Sequence, residues 1–281
     1  MPKVIAIVPV FNEAKTLQGI LARIAPQVDL LVCVNDGSTD KSLQILKTYA
    51  RGRKNIFIVD LPFNSGMAGA IKQGFLFTLY LKKKGLVGAD DVAVTIDADG
   101  QHKPEYIGGI VKYLAKEKVD IVLTRRDFSV YPRYKIWGNR FLTWTNSLLS
   151  GRKYHDVESG LRFLKVKTIE PILKFYTGIK YSCAQEIALI SVRQGFKIDN
   201  DFVVKIAYYR PGTTVWDGFI VLFLSFLTYL RWRFHWESAV IYDTEFFKSS
   251  FDQSKNYWPR SAKRTSKALE PQTCSARADK H

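Results

Sequence analysis

The sequence predicts an α/β fold with a mainly parallel central sheet, on three observations. Short runs rich in Val and Ile alternate along the chain with stretches of helical periodicity. Those runs are continuously apolar, as strands covered on both faces tend to be. The polar motifs stand just past the runs, where open α/β sheets bind their ligands.

Val4–Val10 is the first expected strand; with Met1-Pro2-Lys3 ahead of it and Pro9 within it, the run is too short and wrongly flanked for a secretory signal. Pro9-Val10-Phe11-Asn12-Glu13 closes it and leads into helical periodicity over 13–24. A strand over 30–35 carries Cys33, expected to be buried as a small hydrophobe. It ends in Asn35-Asp36-Gly37-Ser38-Thr39-Asp40, and Asp40 is placed to cap a helix over 41–50. Ile56–Leu61 is the third strand. Asn64-Ser65-Gly66 then precedes a helix over 68–83, with glycine permitting close backbone approach to a ligand. A strand over 92–97 is followed by a helix over 104–116, whose Pro104 suits a first turn. Ile121–Leu123 and 203–209 are further strands. Such alternation folds through right-handed crossovers.

The most informative segment is Val94-Thr95-Ile96-Asp97-Ala98-Asp99-Gly100-Gln101-His102. Strand residues alternate faces, so Asp97 and Asp99 are expected to point the same way. Adjacent carboxylates repel one another and favour a cation between them; oxygen-rich sites of this kind suit Mg²⁺ or Mn²⁺. Gln101 repeats the spacing and adds a neutral oxygen. A turn accounts for the same Asp, Gly and His residues without a metal. Turn chemistry does not account for three acidic strand ends converging on one edge.

A chain of 281 residues, 47% of them hydrophobic, can bury a full core as one large domain. The formal net charge of +16 implies an anionic partner: nucleic acid, an acidic membrane surface or phosphorylated substrates. Nucleic-acid binding would explain the charge but not the acidic strand ends, and no nucleic acid is expected. Cys33, Cys183 and Cys274 are odd in number and unpatterned, so neither a disulfide framework nor a zinc site is expected, and a reducing cytosol is.

Taken in order, VPVFNEA, VNDGSTD, NSGMAGAIKQG and TIDADGQH strongly resemble the family 2 glycosyltransferases of the GT-A fold. DVESGLRFL and QEIALISVRQGFKIDNDFVVKIAYYRPGTT resemble the branch containing dolichyl- and polyprenyl-phosphate sugar transferases. The likeness runs from about residue 3 to residue 214, and its motifs are more specific for the superfamily than for the branch. It implies a GT-A-type Rossmann-like sandwich over 1–214. It also implies an inverting transferase that moves a sugar from a GDP- or UDP-sugar to a polyprenyl or dolichyl phosphate.

The resemblance assigns donor binding to Pro9, Phe11, Asn12, Glu13, Asp36, Asn64, Gly66 and Asp97, and the metal to Asp97, Asp99 and Gln101. Met67 departs from many relatives, which carry a basic residue there. Arg125, Lys135, Asn139, Arg140 and Arg162 fall where the acceptor phosphate is expected. Glu186 matches an acidic helix position near the acceptor, and Arg210 a loop that closes over the donor. Asp99, Arg125, Arg140, Glu186 and Arg210 are thus the expected catalytic set. Arg162 paired with Asp156 as scaffold is the plainer alternative. His102 and His155 lie outside the catalytic pattern and are expected to hydrogen-bond.

Acid–base chemistry frames the acceptor. A sugar hydroxyl must lose a proton as it attacks, so it needs a carboxylate base within reach. A phosphate monoester, with a second pKa of about 6, is already largely dianionic and needs cations to orient it. The basic residues between 125 and 162 fit the phosphate; Glu186 keeps open a saccharide or glycolipid hydroxyl. A non-catalytic nucleotide-sugar-binding relative is the remaining alternative, and the intact D-x-D and Arg210 speak against it.

Residues 219–230 form an uninterrupted apolar run, shorter than the about 20 residues a bilayer span needs. Trp216, Arg231, Trp232 and Arg233 around it suit an interfacial segment; a buried core helix is the alternative. The expectation is a membrane-interfacial apolar helix within 215–244 and a flexible basic tail over 245–281. The protein would sit peripherally at the cytoplasmic membrane face.

Overall fold

The computed structural model describes residues 1–206 and 214–256. In chain order the elements are β1 (Val4–Val10), α1 (Leu17–Ile24), β2 (Leu30–Asp36), α2 (Ser42–Ala50), β3 (Ile56–Leu61) and α3 (Gly66–Lys83). Next come β4 (Val92–Thr95), α4 (Tyr106–Lys116), β5 (Ile121–Leu123), β6 (Arg125–Arg126), α5 (Arg133–Ser150) and β7 (Arg162–Lys165). The remainder are α6 (Ile169–Leu173), α7 (Cys183–Arg193), β8 (Ile198–Asp199), β9 (Val203–Val204), α8 (Val215–Arg233) and α9 (Thr244–Asn256).

One seven-stranded sheet runs β3-β2-β1-β4-β7-β5-β8, parallel except for β7. β6 and β9 form a separate parallel pair. The strands read as unbroken apolar runs because both faces are covered. Ile5, Ile7, Val32 and Val34 pack into the core under α3 and α6, while Ala6, Val8, Leu31 and Cys33 pack under α1, α2 and α4. Burial pushes the Cys33 thiol up to about 12, in keeping with an inert core side chain. Chain order reverses at β1, with β2 and β3 on one side and β4 on the other. That switch point sets the loops after β1 and β4 side by side, and ligand crevices open at such points.

The structure departs from the local expectations at both ends of the site-bearing half. β4 stops at Thr95, so Asp97 and Asp99 belong to the turn that follows it. They still share an orientation, because Ile96 before them and Ala98 between them are buried in the core and both carboxylates line the same cavities. The strand over 203–209 is described only as Val203–Val204.

The C-terminal expectations also change. Thr244–Asn256 is a packed helix where the first part of a flexible tail was expected, and residues 257–281 of that tail lie outside the described residues. Phe251 stacks on Phe57 with ring centroids 5.5 Å apart, and Phe247 meets Phe77 edge-on at 5.4 Å. Ser254 Oγ accepts the Ile58 N–H at 3.1 Å, satisfying a donor of the edge strand β3. The anchors Phe247 and Phe251 recur four residues apart in a segment that, Phe246 aside, is otherwise polar, so composition concealed the helix. Helix α8 is neither wholly core nor wholly interfacial. It buries Val221, Leu224 and Thr228 while Trp216, Phe219, Phe223 and Phe226 stay exposed. Thr214 and Asp217 form a capping box at its start. Among the described residues no helix is long and apolar enough to cross a membrane.

Candidate active site

The loops after β1, β2, β3 and β4 enclose a cavity of about 570 Å³. Pro9, Phe11, Asn12, Glu13, Asp36, Asn64, Gly66 and Asp97, the residues expected at the donor nucleotide, all line it. The loops are tied to one another. Asn12 has a left-handed backbone (φ 54°), and its side-chain oxygen accepts from the Thr39 N–H at 2.9 Å. Asp36 Oδ1 accepts from both the backbone N–H and the hydroxyl of Ser65, each at 2.7 Å. Asp36 therefore secures the loop after β3 and not the turn of Gly37 and Ser38 beside it. Gly37 makes that contact possible: a Cβ there would lie 2.6 Å from the backbone carbon of Phe63. Asp40 is not the N-cap of α2, which is Lys41, but it lies just before it and accepts from Ser42 N at 2.8 Å and from Ala14 N at 3.0 Å. Thr16 Oγ1 donates to the Ala98 carbonyl at 3.1 Å, fastening the D-x-D turn to the first loop.

A second cavity of about 220 Å³ adjoins the first and shares Met67, Asp97, Asp99, Gln101 and Tyr181 with it. Its far wall holds Arg126, Lys135, Asn139, Glu158 and Arg162. A broader groove of about 1480 Å³ between α1 and α2 also includes Asp99 and Gln101 in its lining. The titratable groups of interest are concentrated in the two smaller spaces.

The carboxylates at the junction differ. Burial pushes Asp97 up, but the hydrogen bond and charge of His102 and the charges of Arg162 and Arg126 outweigh it and hold the group below the usual carboxylate range. Burial and the neighbouring charge of Asp97 push Asp99 up, opposed by the Gln101 N–H that its Oδ1 accepts at 2.9 Å. This unrelieved repulsion between hard oxygen donors is what a divalent cation neutralises, so the donor set fits Mg²⁺ or Mn²⁺. Among the described residues no group of three or more His, Cys, Asp or Glu side chains is assembled to hold a metal ion. The pair and Gln101 would supply part of a coordination shell, leaving positions for substrate oxygens.

The acceptor side needs correction. Lys135 and Asn139, one turn apart on α5, line the second cavity, but Arg140 is exposed on that helix and lines neither space. Arg125 likewise lines neither. Alternation along β6 turns Arg126 into the cavity instead. Asp156 pairs with Arg126, not Arg162: Nε and Nη2 of Arg126 each donate to the carboxylate at 2.9 Å. Arg162 is 4% exposed, its Nε has no hydrogen-bond partner among the described residues, and its Nη1 lies 3.9 Å from Cys183 Sγ. Glu186 is buried away from both cavities. Its carboxylate accepts from Thr177 N at 2.8 Å and from the Thr177 hydroxyl, anchoring the turn before α7. Arg210 lies outside the described residues. His155 sits 3.4 Å from Asp201 on the surface.

Glu158 is a carboxylate on the cavity wall that the expected site did not include. Burial pushes it up, against a 2.5 Å hydrogen bond from Gln185 Nε2 and the charge of Arg126. Its signal was present as the second acid of Asp156-Val157-Glu158-Ser159-Gly160. Tyr131 and Tyr181, which also line the second cavity, carried no comparable signal.

Comparison with known proteins agrees with this architecture. The chain is 26% identical to a UDP-N-acetylglucosamine–dolichyl-phosphate N-acetylglucosaminyltransferase of Methanococcus voltae, covering 77% of this chain and 92% of that protein. It is 28% identical to an undecaprenyl-phosphate mannosyltransferase of Micrococcus luteus, covering 60% and 69%. The fold resembles glucosyl-3-phosphoglycerate synthase of Mycobacterium tuberculosis, crystallised with Mn²⁺, UDP-glucose and phosphoglyceric acid. The TM-score is 0.58 at 16% identity, over 82% of this chain and 79% of that one. The family pattern described as glycosyl transferase family 2 matches residues 5–176, a stretch that holds the loops after β1, β2, β3 and β4 and the D-x-D turn. The chain therefore belongs to glycosyl transferase family 2.

Proposed function

We propose that the protein moves a sugar, with inversion, from a nucleotide-sugar donor to the phosphate of a polyprenyl or dolichyl phosphate at the cytoplasmic face of a membrane. The observation that carries this reading is the pair of cavities joined at Asp97 and Asp99, one bounded by the donor loops and the other by Lys135, Arg126 and Arg162. The names of the Methanococcus voltae and Micrococcus luteus relatives support a lipid-phosphate acceptor. A phosphate oxygen of the acceptor attacks the anomeric carbon, and the bond to the diphosphate breaks with its electron pair leaving on the nucleoside diphosphate. Asp97 and Asp99, with Gln101, would hold a divalent cation, whose chemistry there is neutralising the charge that builds on that leaving group. Lys135 and Arg162 orient the acceptor dianion, and Asn139 donates to it. Nucleotide sugars offered in turn with undecaprenyl and dolichyl phosphates test the reading. The expected product is a lipid-phosphate-linked sugar; donor turnover that ignores every lipid phosphate refutes it.

Glu158 favours a second reading, in which a saccharide or glycolipid hydroxyl attacks and Glu158 takes its proton. Glu158→Gln separates the two. A phosphate acceptor predicts that substantial activity remains. A hydroxyl acceptor predicts a loss on the order of 10²–10⁴ in kcat. Glu186→Gln should act in either case through the 177–178 turn, lowering the melting temperature.

Membrane contact is proposed through two adjacent helices. On α5, Trp137, Phe141, Trp144 and Leu148 are 70%, 52%, 60% and 67% exposed, at helical spacing. Helix α8, which carries its own exposed aromatics, packs against α5. Exposed Arg133 and Arg140 on α5 and Arg233 at the end of α8 suit anionic headgroups. Lys135 and Asn139 on this same α5 reach the cavity, so a lipid phosphate could enter while its chain stays in the bilayer. Replacing Phe223 and Phe226 by Ser removes roughly 1.5–3 kcal/mol of apolar burial each if they insert. Sedimentation with anionic vesicles should then fall at an unchanged melting temperature; undiminished sedimentation would count against these helices as the contact. On this proposal 1–214 is the catalytic domain and α8 its membrane-facing extension.

A further inference from the structure

We infer that His102 is a positioning residue that fixes the Asp97 carboxylate for cation binding, with the backbone of Gly160 closing the other side. The inference rests on the reading of Asp97 and Asp99 as the cation-holding pair. His102 is 4% exposed, and its Nε2 lies 3.4 Å from Asp97 Oδ2. That distance is long for a hydrogen bond, so the ring acts as much by confinement as by donation. Its Nδ1 is buried with no hydrogen-bond partner among the described residues. The ring is thus committed to Asp97 alone, although an unpaired buried nitrogen costs free energy and calls for a reason.

Gly160 supplies the complementary restraint. A Cβ at this position would strike Asp97 Oδ2 and lie 2.8 Å from His102 Nε2. Its own carbonyl accepts the Thr95 hydroxyl at 2.8 Å, so the backbone cannot easily withdraw. Asp97 stands in a turn beyond the end of β4, where nothing in strand geometry holds its side chain. Confining Oδ2 between His102 and Gly160 leaves the other oxygen available to an ion at the junction of the cavities. Partners of this kind, one bond removed from the ion, commonly change metal affinity by about 10–100-fold.

Binding of Mn²⁺ to the full chain, read as loss of the free-ion electron paramagnetic resonance signal, tests this without turnover. His102→Leu should weaken Mn²⁺ binding by about 10–100-fold, and His102→Gln, which retains an N–H donor, should recover most of it. Gly160→Ala should weaken it comparably by displacing the carboxylate. Melting temperatures of all three identify any variant whose loss reflects unfolding, and the variants that remain folded then decide the outcome. Wild-type binding that survives within twofold in folded His102→Leu or Gly160→Ala overturns this inference alone. Wild-type protein that binds no Mn²⁺ overturns the cation reading and this inference with it.

Discussion

Replacing Asp99 by alanine is expected to reduce sugar transfer by on the order of 10²–10³ or more in kcat and to weaken donor binding. Asp99 stands where the two cavities meet, and its carboxyl is pushed up by burial and by the charge of Asp97. A group held in that conflict gains most when a divalent cation neutralises the pair. Its loss removes an oxygen and a full charge at the point where the diphosphate departs. Asp97→Asn should cost less, because the amide keeps an oxygen for the ion. Nucleoside diphosphate release, followed with excess Mn²⁺ and again with chelator, measures both variants. An Asp99→Ala enzyme that keeps the full rate in chelated buffer would end the metal reading.

Arg126→Met should destabilise the fold by about 3–5 kcal/mol, because it leaves a buried carboxylate without its counter-charge. Asp156 has a fully buried side chain, and Arg126 is 13% exposed. The guanidinium donates twice to the carboxylate, and the Arg126 backbone N–H donates a third bond at 3.0 Å. For a chain of this size the loss corresponds to a fall of roughly 6–20 °C in Tm. Replacing both partners by apolar residues should recover much of it, since the desolvation cost of the charges disappears with them. The pH dependence has a definite sign. Burial would raise Asp156, but Arg126 outweighs it and holds the carboxyl below 3.8. Its stabilisation is therefore complete above the ordinary carboxylate value and is lost as pH falls through the lower folded one. Arg126→Met should lose that advantage and unfold at a higher pH during acid titration. A stability change below about 1 kcal/mol would show that solvent screens the pair.

The donor half of the site was legible because it is local. Each loop after β1, β2, β3 and β4 carries its polar residues within a few positions of a strand end, and parallel strands deliver those ends to one edge. Reading strand ends was therefore equivalent to reading the cavity, and the eight residues expected there line it. The second half resisted for the opposite reason. Its wall is assembled from a two-residue strand, one face of α5 and a motif loop, where a shift of one residue changes which side chain points inward. That shift separates Arg125 from Arg126 and Arg140 from Asn139. Glu186 differs from expectation because a helix position alone does not reveal the turn that its carboxylate anchors.

The sequence by itself determined the strand order of chemistry, the parallel α/β scaffold and the family, since apolar runs and strand-end motifs follow from covalent periodicity. Tertiary structure alone decided which long-range partners complete each group. Asp156 is paired with Arg126 across 30 positions, and Asp97 shares its enclosure with a glycine far along the chain. It also decided that 244–256 closes the edge of the sheet and that α8 divides its apolar surface between core and solvent. Phe247 and Phe251 gain nothing locally; they fold because β3 and α3 offer Phe57 and Phe77 to pack against. Periodicity fixes which face of an element is apolar, but only packing against a distant element fixes what that face meets.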